Sequence, residues 1–229
     1  MLMEQRKIWR HYQTAHPESF SGAATRLHYL SRQLPFRSLV LNIGVGSGQF
    51  ERIASDQGHR VISLDPDVLS LHLARGSNNI NSVAALIQNL PFSDSCIDAV
   101  VVSEVIEHLD NDTLGNGLIE IRRILKPGGM LLGTVPFDED LKASEVICPH
   151  CGTLFHKVGH VQSFNLAFMR SVLENQFENI TVYKRAFMNS PQLRPSKKFI
   201  AYIRNFLVLG GVLTRETTLV FKASKPNPD

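Results

Sequence analysis

The stretch Asn42-Ile43-Gly44-Val45-Gly46-Ser47-Gly48 constrains the fold of this 229-residue chain more than any other. It follows the apolar run SLVLNI (38–43) and precedes a helix-like run over 49–57 that Gly58 closes. A short apolar run bounded by turn residues reads as a buried parallel strand. Glycines between such a strand and a helix let the backbone turn sharply and let a ligand approach the main chain. The next charged marker is Asp65, at the end of a second strand over 59–64. In an open parallel sheet that is the carboxyl edge, where ligands bind, and a carboxylate there can accept both hydroxyl hydrogens of a ribose.

The same alternation continues. A helix is expected over 68–74, strands over 82–87 and 97–103, a helix over 114–125 stopped by Pro127-Gly128-Gly129, and a fifth strand over 130–135 ended by Pro136. Strands alternating with helices mean a parallel sheet covered on both faces. Beyond Pro136 the rhythm breaks into a loop rich in Cys and His that runs to about His160. A helix over 166–175 and strands over 180–187 and 217–222 follow. Trp9, Tyr12, Leu27 and Leu30 are expected to give an N-terminal helical segment its apolar contacts, with Pro17 dividing it and Pro35 closing it.

Composition removes several function classes. Apolar residues make up 43% and charged residues 20%, as in an ordinary globular chain. A net charge of +3, with basic residues scattered, gives no nucleic-acid footprint. The charged N-terminal sequence has no apolar core of a signal peptide, and three cysteines make no disulfide framework, so a cytoplasmic setting is expected. The segment 197–207 interleaves apolar and basic residues. It reads as a core or lid helix, or alternatively as an interfacial helix on a membrane surface.

Four stretches together resemble the class I S-adenosylmethionine-dependent methyltransferases: VLNIGVGSG (40–48), SLDPD (63–67), NLPFSDSCIDAVVVSEVIEHL (89–109) and EIRRILKPGGMLLGTVP (120–136). The resemblance implies a three-layer α/β/α Rossmann-like fold, with a seven-stranded, mostly parallel sheet and an antiparallel last strand. It implies a single domain with a helical cap (1–36), a cofactor-binding core (37–136), a Cys/His insert (137–163) and a C-terminal helix and strands (164–229). S-adenosyl-L-methionine would be the cofactor. The loop from Gly44 through Val45 and Gly46 to Gly48 would lie under its methionine and ribose, Asp65 would bind the ribose and Pro66 would face the adenine. Gln88 and Asn89 would meet the adenine edge, with Leu90 on the ring. Ser103 and Glu104 would border the methionine portion. The family commonly has Asp or Glu where this chain has Asn42, which keeps an acceptor oxygen but loses the charge.

The second constellation is Cys148-Pro149-His150-Cys151, followed by His156 and His160. The spacing C-x2-C-x4-H-x3-H offers zinc four ligands, Cys148, Cys151, His156 and His160, with His150 an alternative to His156. A similar insert occurs in a subset of these methyltransferases, whose resemblance to glycan-pathway enzymes gives the lean toward a carbohydrate-like or other small-molecule acceptor. His108 is a candidate general base near the mouth of the site, and His160 is a candidate catalytic residue if it faces substrate rather than metal. Competing readings are a non-catalytic binding module built on the zinc loop, a nicotinamide-dependent oxidoreductase and a nucleic-acid methyltransferase. G-x-G-x-G rather than G-x-G-x-x-G spacing argues against the oxidoreductase.

Overall fold

Residues 7–8, 10–12, 23–77, 80–187 and 217–228 are described by the computed structural model. The expectations for Trp9, Pro17 and the segment 197–207 lie outside them. The apolar runs form strands β1 (Leu39–Ile43), β2 (Arg60–Asp65), β3 (Asn81–Ala84), β4 (Ile97–Ser103) and β5 (Leu125–Pro136). Between and around them lie helices α1 (Ala24–Ser31), α2 (Gln49–Asp56), α3 (Val68–Ser77) and α4 (Asn111–Ile124). The hairpin β6 (Glu145–Ile147) and β7 (Leu154–His156), helix α5 (Leu166–Glu174), and strands β8 (Glu178–Ala186) and β9 (Thr217–Ser224) complete the order.

The main sheet has seven strands in the order β3-β2-β1-β4-β5-β9-β8. The first five are parallel, and β9 runs antiparallel to both β5 and β8. Strand periodicity divides the core into two layers. Leu41, Val100, Val102 and Leu131 pack on one face with Leu118 and Ile121 of α4 and Met169 and Leu173 of α5. Their neighbours Val40, Ala99, Val101 and Leu132 pack on the other with Leu30 of α1 and Phe50 and Ala54 of α2. The expected α/β/α sandwich with an antiparallel last strand is therefore present. Strand order reverses at β1 and β4, so a crevice opens at their carboxyl ends.

Most boundaries shift by a few residues from the sequence reading, and three differences bear on the site. Helix α4 begins at Asn111, earlier than expected, because Asp110 caps it by accepting the Thr113 amide at 2.7 Å. Strand β5 starts at Leu125 and includes Lys126-Pro127-Gly128-Gly129. A register shift between Ile97 and Ala99 of β4 absorbs these residues. The Cys/His stretch is not a plain loop, since β6 and β7 pair antiparallel within it.

Candidate active site

The crevice is a cavity of about 460 Å³ lined by the Gly44–Val45–Gly46 loop, Asp65, Gln88, Ser103, Glu104, His108 and His160, among others. That size suits a small ligand or cofactor. The loop is held by the Gly44 amide donating to Leu64 O at 2.8 Å and the Gly48 amide to Val45 O at 3.0 Å. Gly44 has φ of 87°, and an added Cβ would stand 2.6 Å from Val105 Cγ2, so both backbone and space demand glycine. Gly48 serves packing instead. It precedes α2 at φ of 73°, and a Cβ there would meet Ile80 Cδ1 at 2.8 Å. It does not line the cavity.

Asp65 is fixed in place by backbone. Its Oδ2 accepts the Val45 amide at 3.2 Å and its Oδ1 the Asp67 amide at 2.9 Å. A carboxylate of this kind can accept hydrogens from the hydroxyls of a ligand. Pro66 lines the cavity beside it. Gln88 also lines it, and its Oε1 is buried without a hydrogen-bond partner. A buried acceptor with nothing to accept is costly unless a ligand supplies the donor. Asn89 and Leu90 are placed elsewhere. Asn89 is exposed, and Leu90 is buried in the core, where its amide donates to Glu120 Oε2 and its carbonyl accepts from Arg123. Leu86 and Ile87 are the apolar lining at that end of the cavity.

Asn42 is 3% exposed, and its side-chain amide donates to Glu51 Oε1 at 2.7 Å and Gly44 O at 3.2 Å. Glu51 is equally buried and also accepts from Ser63 Oγ at 2.6 Å. Burial raises the Glu51 pKa, and the bonds from Ser63 and Asn42 pull it back. A buried carboxylate from α2 thus faces position 42, and the Asn42 amide supplies it with a donor.

At the other end, Ser103 Oγ sits 2.9 Å from Thr134 Oγ1 and accepts from Arg26 Nε at 3.2 Å. Glu104 has φ of 56°, an uncommon conformation for a residue with a side chain, and its amide donates to Thr134 O at 2.8 Å. The turn continues into a single 3-10 turn at Ile106–His108. The segment after β7 is zipped onto it, with the Val161 and Gln162 amides donating to Glu107 O at 2.9 and 3.1 Å. This brings His108 and His160 together, their ring centroids 4.6 Å apart. His108 Nδ1 bonds to Gly159 O at 3.1 Å. Burial, then the neighbouring His160, lowers the His108 pKa to about 3. It is therefore neutral at physiological pH and a weak base, poorer in that role than its residue type suggested.

The expected Cys148, Cys151, His156, His160 set is not assembled. The two cysteines sit beyond the last hairpin pair, Ile147 with Leu154, while His156 pairs with Glu145 at the opposite end. Three residues of strand separate the ends, roughly 10 Å at the usual rise per residue. His156 Nδ1 already accepts the His160 amide at 3.1 Å, and its ring stacks on His160 at 4.8 Å. Among the described residues, the His/Cys/Asp/Glu groups whose ligand atoms converge are Glu107–His108–His160 and Glu139–His156–His160, without either cysteine. Sequence reasoning named neither glutamate. Glu107 lay in plain sight in the run Glu104-Val105-Ile106-Glu107-His108, whereas Glu139 had no local signal.

Comparison with known proteins agrees with this construction. Residues 41–133 match the family model described as a methyltransferase domain. A methyltransferase of Mycobacterium leprae is 34% identical over 103 residues, which cover 43% of this chain and 37% of that protein. A protein of Methanocaldococcus jannaschii is 33% identical over 138 residues, 60% of this chain and 57% of that one. The ubiquinone/menaquinone biosynthesis C-methyltransferase of Vibrio campbellii is 35% identical over 105 residues, 41% and 39%. The chain thus spans between 37% and 57% of the length of these curated relatives. Among solved structures, a SAM-dependent methyltransferase from Archaeoglobus fulgidus superposes with a TM-score of 0.67 at 19% identity, covering 93% of this chain and 100% of that one. The 1,6-didemethyltoxoflavin-N1-methyltransferase of Burkholderia thailandensis, with S-adenosylhomocysteine bound, does so at 0.66 and 18%, covering 97% and 87%. The fold is the Rossmann-like methyltransferase fold, and the sequence match to the methyltransferase-domain family covers residues 41–133. Among the described residues no helix is long and apolar enough to cross a membrane.

Proposed function

We propose that the chain transfers a methyl group from S-adenosylmethionine to a small-molecule or carbohydrate-like acceptor held beside His108 and His160. One observation carries the cofactor part. A single cavity presents the Asp65 carboxylate, already oriented by two backbone amides, and the partnerless buried Oε1 of Gln88, beneath a loop whose Gly44 tolerates no side chain. A ribose diol donates to a carboxylate, and an adenine amino group donates to an amide oxygen. The residues present fit an adenosyl group, and Leu86 and Ile87 add apolar lining.

S-adenosylmethionine supplies an activated methyl on a sulfonium. The protein's own contribution is to hold two reactants in line and to exclude water. Arg26, bonded to Ser103 and 3.8 Å from Glu104, fixes the strand end that borders the transfer point. His108 and His160 line the wall where an acceptor enters. The zinc loop is no part of this reading, because its cysteines and histidines stand apart. The three free cysteines fit a reducing, cytoplasmic setting. The test is release of S-adenosylhomocysteine from the purified chain in the presence of panels of small hydroxylated compounds and glycans. Turnover on one class supports the reading, and Asp65→Ala abolishes it. Turnover confined to nucleic acid would overturn the acceptor assignment.

A further inference from the structure

We propose that Arg185, with the hydroxyl pair of Tyr29 and Tyr183, forms an anion-binding subsite at the ligand edge of the sheet, and that the methyl acceptor docks a carboxylate or phosphate there. Tyr183 and Arg185 alternate along β8 and Phe187 follows just beyond it, so the three share one sheet face. Cross-strand register sets Tyr183 opposite Val220 of β9, Val220 opposite Thr134 of β5, and Thr134 opposite Ser103 of β4. This row joins the cluster to the strand end that borders the transfer point, where the Ser103 and Thr134 hydroxyls meet at 2.9 Å. Helix α1 lies over the row. Its Arg26 donates to Ser103 Oγ, and Tyr29, one turn later, shares a hydrogen bond with the Tyr183 hydroxyl. Strand β8 runs parallel to β5, so Arg185 stands two residues further toward the carboxyl edge, where the crevice opens.

The cluster is rich in donors and lacks acceptors. The Arg185 guanidinium rests against two rings, its central carbon 4.0 Å from the Tyr29 centroid and 5.6 Å from that of Phe187. Stacking of this kind fixes the plane of the cation but supplies no hydrogen-bond acceptor. Arg185 Nε is buried without a hydrogen-bond partner, and among the described residues no carboxylate pairs with the guanidinium. A guanidinium carries five N–H donors, and a buried donor left unmatched is costly unless a ligand meets it. The two phenols carry two O–H hydrogens, and the bond between them uses one, which leaves one to donate. Burial, then the bond with Tyr29, raises the Tyr183 pKa above the ordinary tyrosine value, so its hydrogen is retained at neutral pH.

A planar fork of N–H donors with a hydroxyl beside it matches an oxyanion, which accepts two parallel bonds from the guanidinium and one from the phenol. A neutral or cationic group there would leave the donors unmatched. Three strand spacings separate Ser103 from Tyr183 along the row, roughly 14 Å of backbone at the usual inter-strand distance. The side chains on either side close part of that span. The charged group therefore lies several bonds from the atom that takes the methyl. Resting on the methyltransferase reading, the acceptor class is then a small molecule or sugar with a remote carboxylate or phosphate.

The experiment uses the full chain, with and without S-adenosylhomocysteine, and follows the Arg185 Nε–H signal by nuclear magnetic resonance as inorganic phosphate, benzoate or neutral benzamide is added. The expected result is a saturable shift with phosphate or benzoate and none with benzamide, and the tighter anion distinguishes phosphate from carboxylate as the natural group. By calorimetry, affinity for that anion falls at least about tenfold in Arg185→Gln and several-fold in Tyr183→Phe, with S-adenosylmethionine binding and circular dichroism unchanged. In turnover, Arg185→Gln raises KM for an anionic acceptor about tenfold and leaves kcat within about twofold. Should Arg185→Gln fail to fold, Arg185→Lys, which keeps the charge without the fork, and Tyr183→Phe carry the comparison. No saturable shift in folded wild type, an equal response to benzamide, anion affinity unmoved by these substitutions, or turnover of a neutral acceptor indifferent to Arg185 each overturns the subsite. Anion binding that persists in a chain unable to bind S-adenosylmethionine upholds the subsite and sinks the methyltransferase reading instead.

Discussion

Replacing Asn42 with Asp is a change of one atom type in a sealed environment, and its consequences can be worked through. The Asn42 amide donates to Glu51 Oε1 at 2.7 Å, with both residues 3% exposed. An ionised Asp there would remove a hydrogen bond to a charged acceptor, about 1.5–3 kcal/mol. It would also set two charges about 3 Å apart, a repulsion of about 5 kcal/mol at an effective dielectric near 20. Holding one proton between the carboxyls is cheaper. At about pH 7 it costs about 1.4 kcal/mol for each unit between the solution pH and an ordinary Asp pKa, or about 4 kcal/mol, less what the raised Glu51 pKa returns. Protonation therefore wins, and Asn42→Asp should lose about 3–4 kcal/mol near pH 7. The sign follows from linkage. The folded pKa of the pair lies above the unfolded value, so the folded state binds the shared proton more tightly, and stability returns as pH falls. Urea unfolding of wild type and variant between about pH 5 and 8 reads this directly: the gap should narrow by about 1.4 kcal/mol per pH unit. A variant as stable as wild type at pH 8, or a gap independent of pH, would refute the reasoning.

Other changes test other parts of the site. Gly44→Ala pays for a positive φ and for a Cβ 2.6 Å from Val105, so it should lower stability by about 2 kcal/mol or more and weaken S-adenosylmethionine binding, read by melting and titration. Gln88→Leu removes the partnerless acceptor, so cofactor affinity should drop about tenfold while free-protein stability holds or rises, read by calorimetry and melting. Glu51→Gln removes the carboxyl whose pKa burial raises. The wild type loses stability as pH rises from about 4.5 through that raised value, and this slope should be missing from the variant's pH profile of unfolding. Cys148→Ser with Cys151→Ser alters only the outer end of the hairpin, so melting should shift little, in contrast to the loss expected of a stapled zinc site.

The first half of the sheet was legible because its signals are local. A strand, a glycine loop and a helix follow one another over 39–56, and Asp65 ends the next strand, so spacing alone brought Asp65 under the loop. Leu90 misled for the opposite reason. Its neighbourhood is set by Arg123 and Glu120 on α4, some thirty residues away, which bind its backbone and turn it into the core. The Cys/His motif misled because spacing measures distance along a chain, and an antiparallel hairpin sends residues 148 and 156 to opposite ends. What assembles instead depends on Glu107 O holding the amides of Val161 and Gln162. No periodicity or motif announces that long-range clasp. The Asn42 departure made sense only once Glu51 was seen facing it from α2.

The central claim is that this cavity binds an adenosyl cofactor through Asp65 and Gln88. Calorimetric titration of the chain with S-adenosylmethionine, S-adenosylhomocysteine and NAD, repeated on Asp65→Ala, tests it most directly. The account predicts micromolar binding of both adenosyl compounds, no response to NAD, and loss of binding in the variant. Folded protein that binds neither adenosyl compound, or that binds NAD in their place, would contradict it.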